Sequence, residues 1–109
     1  MPHFMFQGNY THAALQKMLA KPEDRSVPAG KLAKSLGGKL REFYLSFGEF
    51  DVVAIAELPD EEAAATFSLT VSGAGHITNL RTTRLLTASE AMKAMGRAGG
   101  GNYKGPKGK

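Results

Sequence analysis

Gly48-Glu49-Phe50-Asp51-Val52-Val53-Ala54-Ile55-Ala56-Glu57-Leu58 decides the architecture of this chain. Gly48 and Glu49 supply a tight turn, and the strand that follows is apolar on both sides: Val52, Ala54 and Ala56 on one, Val53 and Ile55 on the other. A strand with one wet face alternates apolar with polar residues. Here only Asp51 and Glu57 interrupt the run, so both faces need cover. A chain of 109 residues has helices enough for one face, and the other face is expected to meet a second copy of the protein. Burying such a face at about 25 cal/mol per Å² drives pairing even after the cost of association. Substituting Ala54 with Asp tests whether that residue lies at the interface.

Working outward, His3 to Tyr10 is a short aromatic-rich first strand ending at Gly8-Asn9-Tyr10. Thr11 caps a helix whose apolar stripe is Ala14, Leu15, Met18 and Leu19, and Pro22 stops it. Lys21 to Arg25 is a polar elbow. Ser26 and Pro28 restart the helix, Leu32, Ala33 and Leu36 renew the stripe, and Gly37-Gly38 ends it with a left-handed cap. Lys39 to Phe47 forms a second strand and Phe50 to Leu58 a third, joined by the Gly48-Glu49 hairpin turn. Asp60 caps the next helix, with Glu61 and Glu62 at its positive end and Ala63, Phe67 and Val71 on its buried face. His76 to Leu86 gives a fourth strand, and Thr87-Ala88-Ser89-Glu90 is a capping box opening a last short helix bearing Met92 and Met95.

Strand, helix, strand, strand, helix, strand is the α+β ferredoxin-like pattern, here with an added C-terminal helix. Right-handed crossovers set the first and third strands side by side and parallel, with the fourth and second outside. Residues 1–97 form the domain. Residues 98–109, rich in glycine and lysine, read as a flexible, weakly basic tail.

The formal charge of +4 is concentrated there: without Lys104, Lys107 and Lys109, 11 basic residues face 10 acidic ones. The body is nearly neutral, tryptophan is absent, and no strand interleaves aromatic with basic residues, which argues against nucleic acid as a partner. No stretch reaches the roughly 18 apolar residues of a membrane span and no signal peptide opens the chain, so the expected location is the cytoplasm. With no cysteine, disulfides, thiolate metal sites and cysteine nucleophiles are excluded. No cofactor is expected. Gly96 to Gly101 lacks the Lys-Ser or Lys-Thr of a phosphate loop, and the serines lack a nucleophile elbow.

The run Gly48 to Asp60, preceded by Gly37-Gly38-Lys39-Leu40 and followed by Asn79-Leu80-Arg81-Thr82, together with Gly8-Asn9-Tyr10-Thr11, resembles the GYD domain family of small bacterial proteins. The likeness spans nearly all of residues 3 to 95, with Phe50 where the family motif has tyrosine, so any role of that hydroxyl is absent. The resemblance implies a dimeric α/β barrel in which two four-stranded sheets face each other. It brings no established activity and no catalytic residues. Related barrels include small monooxygenases and isomerases, and the effector domain of leucine-responsive regulators carries a similar Gly-x-x-Asp hairpin, analogies of fold that do not fix function.

The expected topology gathers two polar groups. His3, Asp51 and Arg84 come to one rim, where Asp51 orients His3 as a base or joins Arg84 in holding a carboxylate, or else simply accepts backbone hydrogens in the turn. Tyr10, His12 and His76, with Glu57, come to the other. Two histidines and a glutamate are a conceivable metal set, but no His-x-x-x-His or Glu-x-x-His pair exists and no metal is expected. Tyr44 either projects into a pocket or packs. The favoured reading is a homodimeric binding or regulatory module for a small, partly apolar molecule. The alternative is a cofactor-independent monooxygenase or isomerase using His3, Asp51 and Tyr44, recognisable by a cavity into which His3 or Tyr44 points with Asp51 in reach.

Overall fold

The computed structural model describes residues 1–107, and each of its elements starts on a local signal. Strand β1 (His3–Tyr10) runs into helix α1 (His12–Ala20), where the Thr11 hydroxyl accepts the Ala14 N–H at 3.2 Å. Helix α2 (Ser26–Ser35) begins at the elbow: the Asp24 carboxylate accepts from the Ser26 N–H at 2.9 Å and from its hydroxyl at 2.5 Å, which holds the carboxyl below its ordinary pKa. The helix stops at Gly37, whose φ of +83° is a conformation glycine adopts without strain. Beyond it the chain passes so close to β3 (Val52–Glu57) that a Cβ on Gly38 would lie 2.1 Å from the Glu57 carbonyl oxygen.

Strand β2 (Lys39–Leu45) ends two residues earlier than its alternation suggests, and a six-residue connection rather than a two-residue turn joins it to β3. Phe47 is fully exposed, so nothing holds it in the sheet. The connection is closed instead by Ser46 N–H to the Asp51 carbonyl at 2.9 Å and by the Ser46 hydroxyl on the Phe50 carbonyl. Helix α3 (Glu61–Gly73) is capped by Asp60, which accepts the Ala63 N–H at 2.9 Å. Strand β4 (Ile77–Leu85) leads to helix α4 (Ala88–Gly99) through the Thr87–Glu90 capping box. That helix takes in Ala98 and Gly99, the start of the stretch read as tail. Residues 100–107 have no regular structure, and the last two tail positions lie outside the described residues.

The sheet order is β2-β3-β1-β4, as expected, but every neighbouring pair is antiparallel. The expected parallel pairing of β1 with β3 is therefore corrected. A crossover through helices makes β1 and β2 parallel, the following hairpin reverses direction, and β3 must run against β1. The register then sets Phe4 opposite Ala56 and Phe6 opposite Ala54. Two aromatic rings beside two alanines leave space for helix side chains. Phe4, Phe6, Ala33, Ala54, Ala56, Leu58, Ala64 and Phe67 form the buried core, with the Phe6 and Phe67 ring centres 4.4 Å apart.

The phase of β3 is thereby settled. Val52, Ala54 and Ala56 face the helices and are buried, whereas Val53 and Ile55 lie on the opposite face with Met5 and Gln7, all four partly exposed. Ala54 is 5% exposed in the core, so it does not lie on the free face where an Asp substitution would probe an interface. No helix among the described residues is long and apolar enough to cross a membrane.

Candidate functional site

Antiparallel pairing of β1 with β3 exchanges the acids between the two rims. Glu57, not Asp51, is beside His3: it is opposite His3 in the register, its carboxylate is 3.7 Å from His3 Nε2, and Arg41 holds it at 3.2 Å. His3 Nδ1 is enclosed and without a hydrogen-bond partner among the described residues. Arg84 lies on the helix side of the sheet, its guanidinium 5.6 Å from the Phe4 ring centre and 3.5 Å from both Glu61 and Glu90. The expected cluster of His3, Asp51 and Arg84 does not form.

Asp51 joins the other rim, where it is structural. Its carboxylate accepts the Tyr10 N–H at 3.0 Å and its own N–H donates to the Gly8 carbonyl at 2.9 Å, while Asn9 Nδ2 donates to the Glu49 carbonyl at 3.1 Å. The Gly8-Asn9-Tyr10 and Gly48-to-Asp51 segments are thus one hydrogen-bonded unit. Asn79, in a left-handed conformation with φ of 57°, extends it by donating to the Asn9 side chain at 3.1 Å. The expected group of Tyr10, His12, His76 and Glu57 dissolves: Glu57 is at the far end of β3 and His12 is exposed on α1. Among the described residues no three His, Cys, Asp or Glu side chains come together as a metal site. Tyr44 is 58% exposed on the free face and donates to Glu42 at 2.8 Å, an interaction that raises the phenol pKa.

Tyr10 and His76 do converge, at the mouth of a cavity of about 280 Å³ between the sheet and helices α2 and α3. Its walls are apolar, with Phe6, Leu32, Phe43, Phe67, Val71 and Leu80 among them. The third mouth residue is Arg25. Its guanidinium donates through Nη1 to Glu23 at 2.7 Å and through Nη2 to His76 Nε2 at 3.3 Å. A guanidinium has no lone pair to offer, so in this contact Nε2 is the acceptor. Burial pushes the Tyr10 phenol up, Arg25 partly opposes this, and the Asp51 charge adds to it, so the hydroxyl stays protonated through neutral pH. Tyr10, Arg25 and His76 also line a second hollow of about 230 Å³ beside α1.

Among the described residues, none of His3, Tyr44 and Asp51 lines the larger cavity, and no carboxylate does. The arrangement can bind a molecule and orient it by donors at the mouth. Arg25 is the functional candidate absent from the sequence reading, where it was part of a polar elbow. Its signal is its place: an arginine immediately before the Ser26 start of a helix that must fold back over the sheet.

The GYD domain family model matches residues 4–95, from the second residue of β1 into α4. This chain belongs to the GYD domain family. The cavity walls, from Phe6 to Leu80, lie wholly inside the GYD match, as do both halves of the unit around Asp51. No curated protein matches the chain. A solved crystal structure, that of FFRP-DM1, is similar at a TM-score of 0.50 and 16% identity, over 79% of this chain and 100% of that one. At that identity the likeness is one of fold, and it agrees with the ferredoxin-like arrangement of this GYD domain.

Proposed function

We propose that this GYD domain is a noncatalytic binding or regulatory module, a homodimer that holds a small, partly apolar molecule between its sheet and its helices. The observation that carries the reading is the cavity of about 280 Å³, apolar inside and donor-rich at its mouth, the pattern of a ligand site at the small end of the usual range. The enzyme alternative requires His3 or Tyr44 in the cavity with Asp51 in reach, and these residues lie elsewhere.

The dimer belongs to the same reading. Met5, Val53 and Ile55 form an apolar strip on the sheet face that no helix covers, with Tyr44 beside it. A second sheet laid on that strip accounts for a strand apolar on both sides. Native mass spectrometry of protein purified from its source tests both parts. The expected spectrum is a dimer carrying a small-molecule adduct, with the adduct lost in Val71→Trp, which fills the cavity. A bare monomer overturns the proposal.

A further inference from the structure

Resting on the reading that this cavity binds a small molecule, we infer that its ligand is an amphipathic monocarboxylate, an aromatic or aliphatic acid without an ammonium group, anchored by Arg25. Among the described residues Arg25 is the only cation lining the cavity. A guanidinium has five N–H donors, and among the described residues Glu23 and His76 engage one nitrogen each, through Nη1 and Nη2. The remaining donors are available in a planar fork that suits a carboxylate better than any neutral group.

Glu23 does not cancel this charge. It is two residues away on a polar loop and 54% exposed, where an ion pair is weak. Its effect, with that of His76, is to hold the guanidinium from two sides, so that less side-chain freedom is lost on binding. The half-buried, protonated Tyr10 phenol lines the same mouth and offers a second donor.

The exclusion of an ammonium group follows from the rest of the wall. Among the described residues no aspartate or glutamate lines the cavity, and the Glu23 carboxylate beside Arg25 is already engaged by its Nη1 at 2.7 Å, so the ammonium of an amino acid would find no uncommitted carboxylate to meet it. A ring or short chain, by contrast, fits against Phe6, Phe67 and Leu80. The volume suits one ring with a short arm rather than a nucleotide or a drug-sized molecule.

Calorimetric titration of the full chain with hydrocinnamate, octanoate, their two alcohols and L-phenylalanine tests the inference. At least one acid is expected to bind about tenfold or more tighter than its alcohol, and hydrocinnamate tighter than phenylalanine by a similar factor. Arg25→Gln should weaken acid binding about tenfold, to the level of the alcohol, with an unchanged circular dichroism spectrum reporting that the variant is folded, and Arg25→Lys should keep part of the preference. Equal affinity of acid and alcohol, a preference that survives Arg25→Gln, or phenylalanine binding as well as hydrocinnamate overturns the assignment while the cavity reading stands. Failure of every probe to bind, or binding indifferent to Val71→Trp, overturns both.

Discussion

Asp51 ties the turn before β3 to the end of β1 and to the end of β2. Its carboxylate takes the Tyr10 N–H, its backbone N–H goes to Gly8, and its carbonyl closes the β2–β3 connection through Ser46, so three chain segments meet on one residue. A hydrogen bond to a charged group contributes about 1.5–3 kcal/mol. Asp51→Ala is therefore expected to lower unfolding stability by about that amount, and Asp51→Asn, which keeps an acceptor oxygen, to recover most of it. Urea midpoints for the three proteins decide the matter; an alanine variant as stable as the parent would remove the role. The aspartate's place in a turn was legible from Gly48-Glu49-Phe50-Asp51 alone, because turn chemistry is local. Its neighbour was not. Whether Asp51 meets His3 or Tyr10 depends on strand direction, and reversing that one feature exchanged the acids at both rims. Arg25 escaped notice for a related reason: a charged loop residue acquires meaning only when the loop is seen to hang over a cavity.

At the scale of elements, the helix starts were the most readable features. Thr11, Asp60 and Thr87 each accept a backbone N–H three residues on, since capping depends on a few neighbouring residues and little else. The β2–β3 connection and the run of α4 to Gly99 were less so, because long-range hydrogen bonds fix the former and a glycine-rich sequence gives no firm stop for the latter. Helix α4 also carries a pH dependence. The Thr87 backbone N–H bonded to Glu90, aided by Arg84, holds the Glu90 carboxyl below its ordinary value of 4.5. The ionised form is thus the one that favours the folded cap. Its contribution is complete above pH 4.5 and is lost as the pH falls through the lowered value in the folded state. Backbone chemical shifts of residues 88–99, followed from neutral pH into acid, should move toward coil below that range. In Glu90→Gln, whose amide oxygen still accepts, this component should be flat. Identical titrations of the two proteins would mean that the box does not govern the helix.

The whole molecule is extended for its length. Its radius of gyration is 17.6 Å and its longest dimension 60 Å, against about 13 Å for the radius of a compact domain of this size. Helix α4 buries none of its residues, and its Met92 and Met95 are 71% and 70% exposed. Together with the uncovered strip of Met5, Val53 and Ile55, the domain has two apolar surfaces that its own elements leave open. Adjacent positions of β3 separate the consequences. Ala54 is in the core beside Phe6, so Ala54→Asp buries an unpaired charge and is expected to unfold the protein whatever its oligomeric state. Ile55 points the other way. An aspartate there is solvated in an isolated chain but desolvated between two sheets, so Ile55→Asp should keep its circular dichroism spectrum and convert a dimer to a monomer. Light scattering behind size exclusion measures the mass of each. If the parent is a dimer and Ile55→Asp remains one, the second copy sits elsewhere, with the methionine side of α4 the next place to substitute. If the parent is itself a monomer, the free strip is wetted at little cost and the proposed pairing of sheets is wrong.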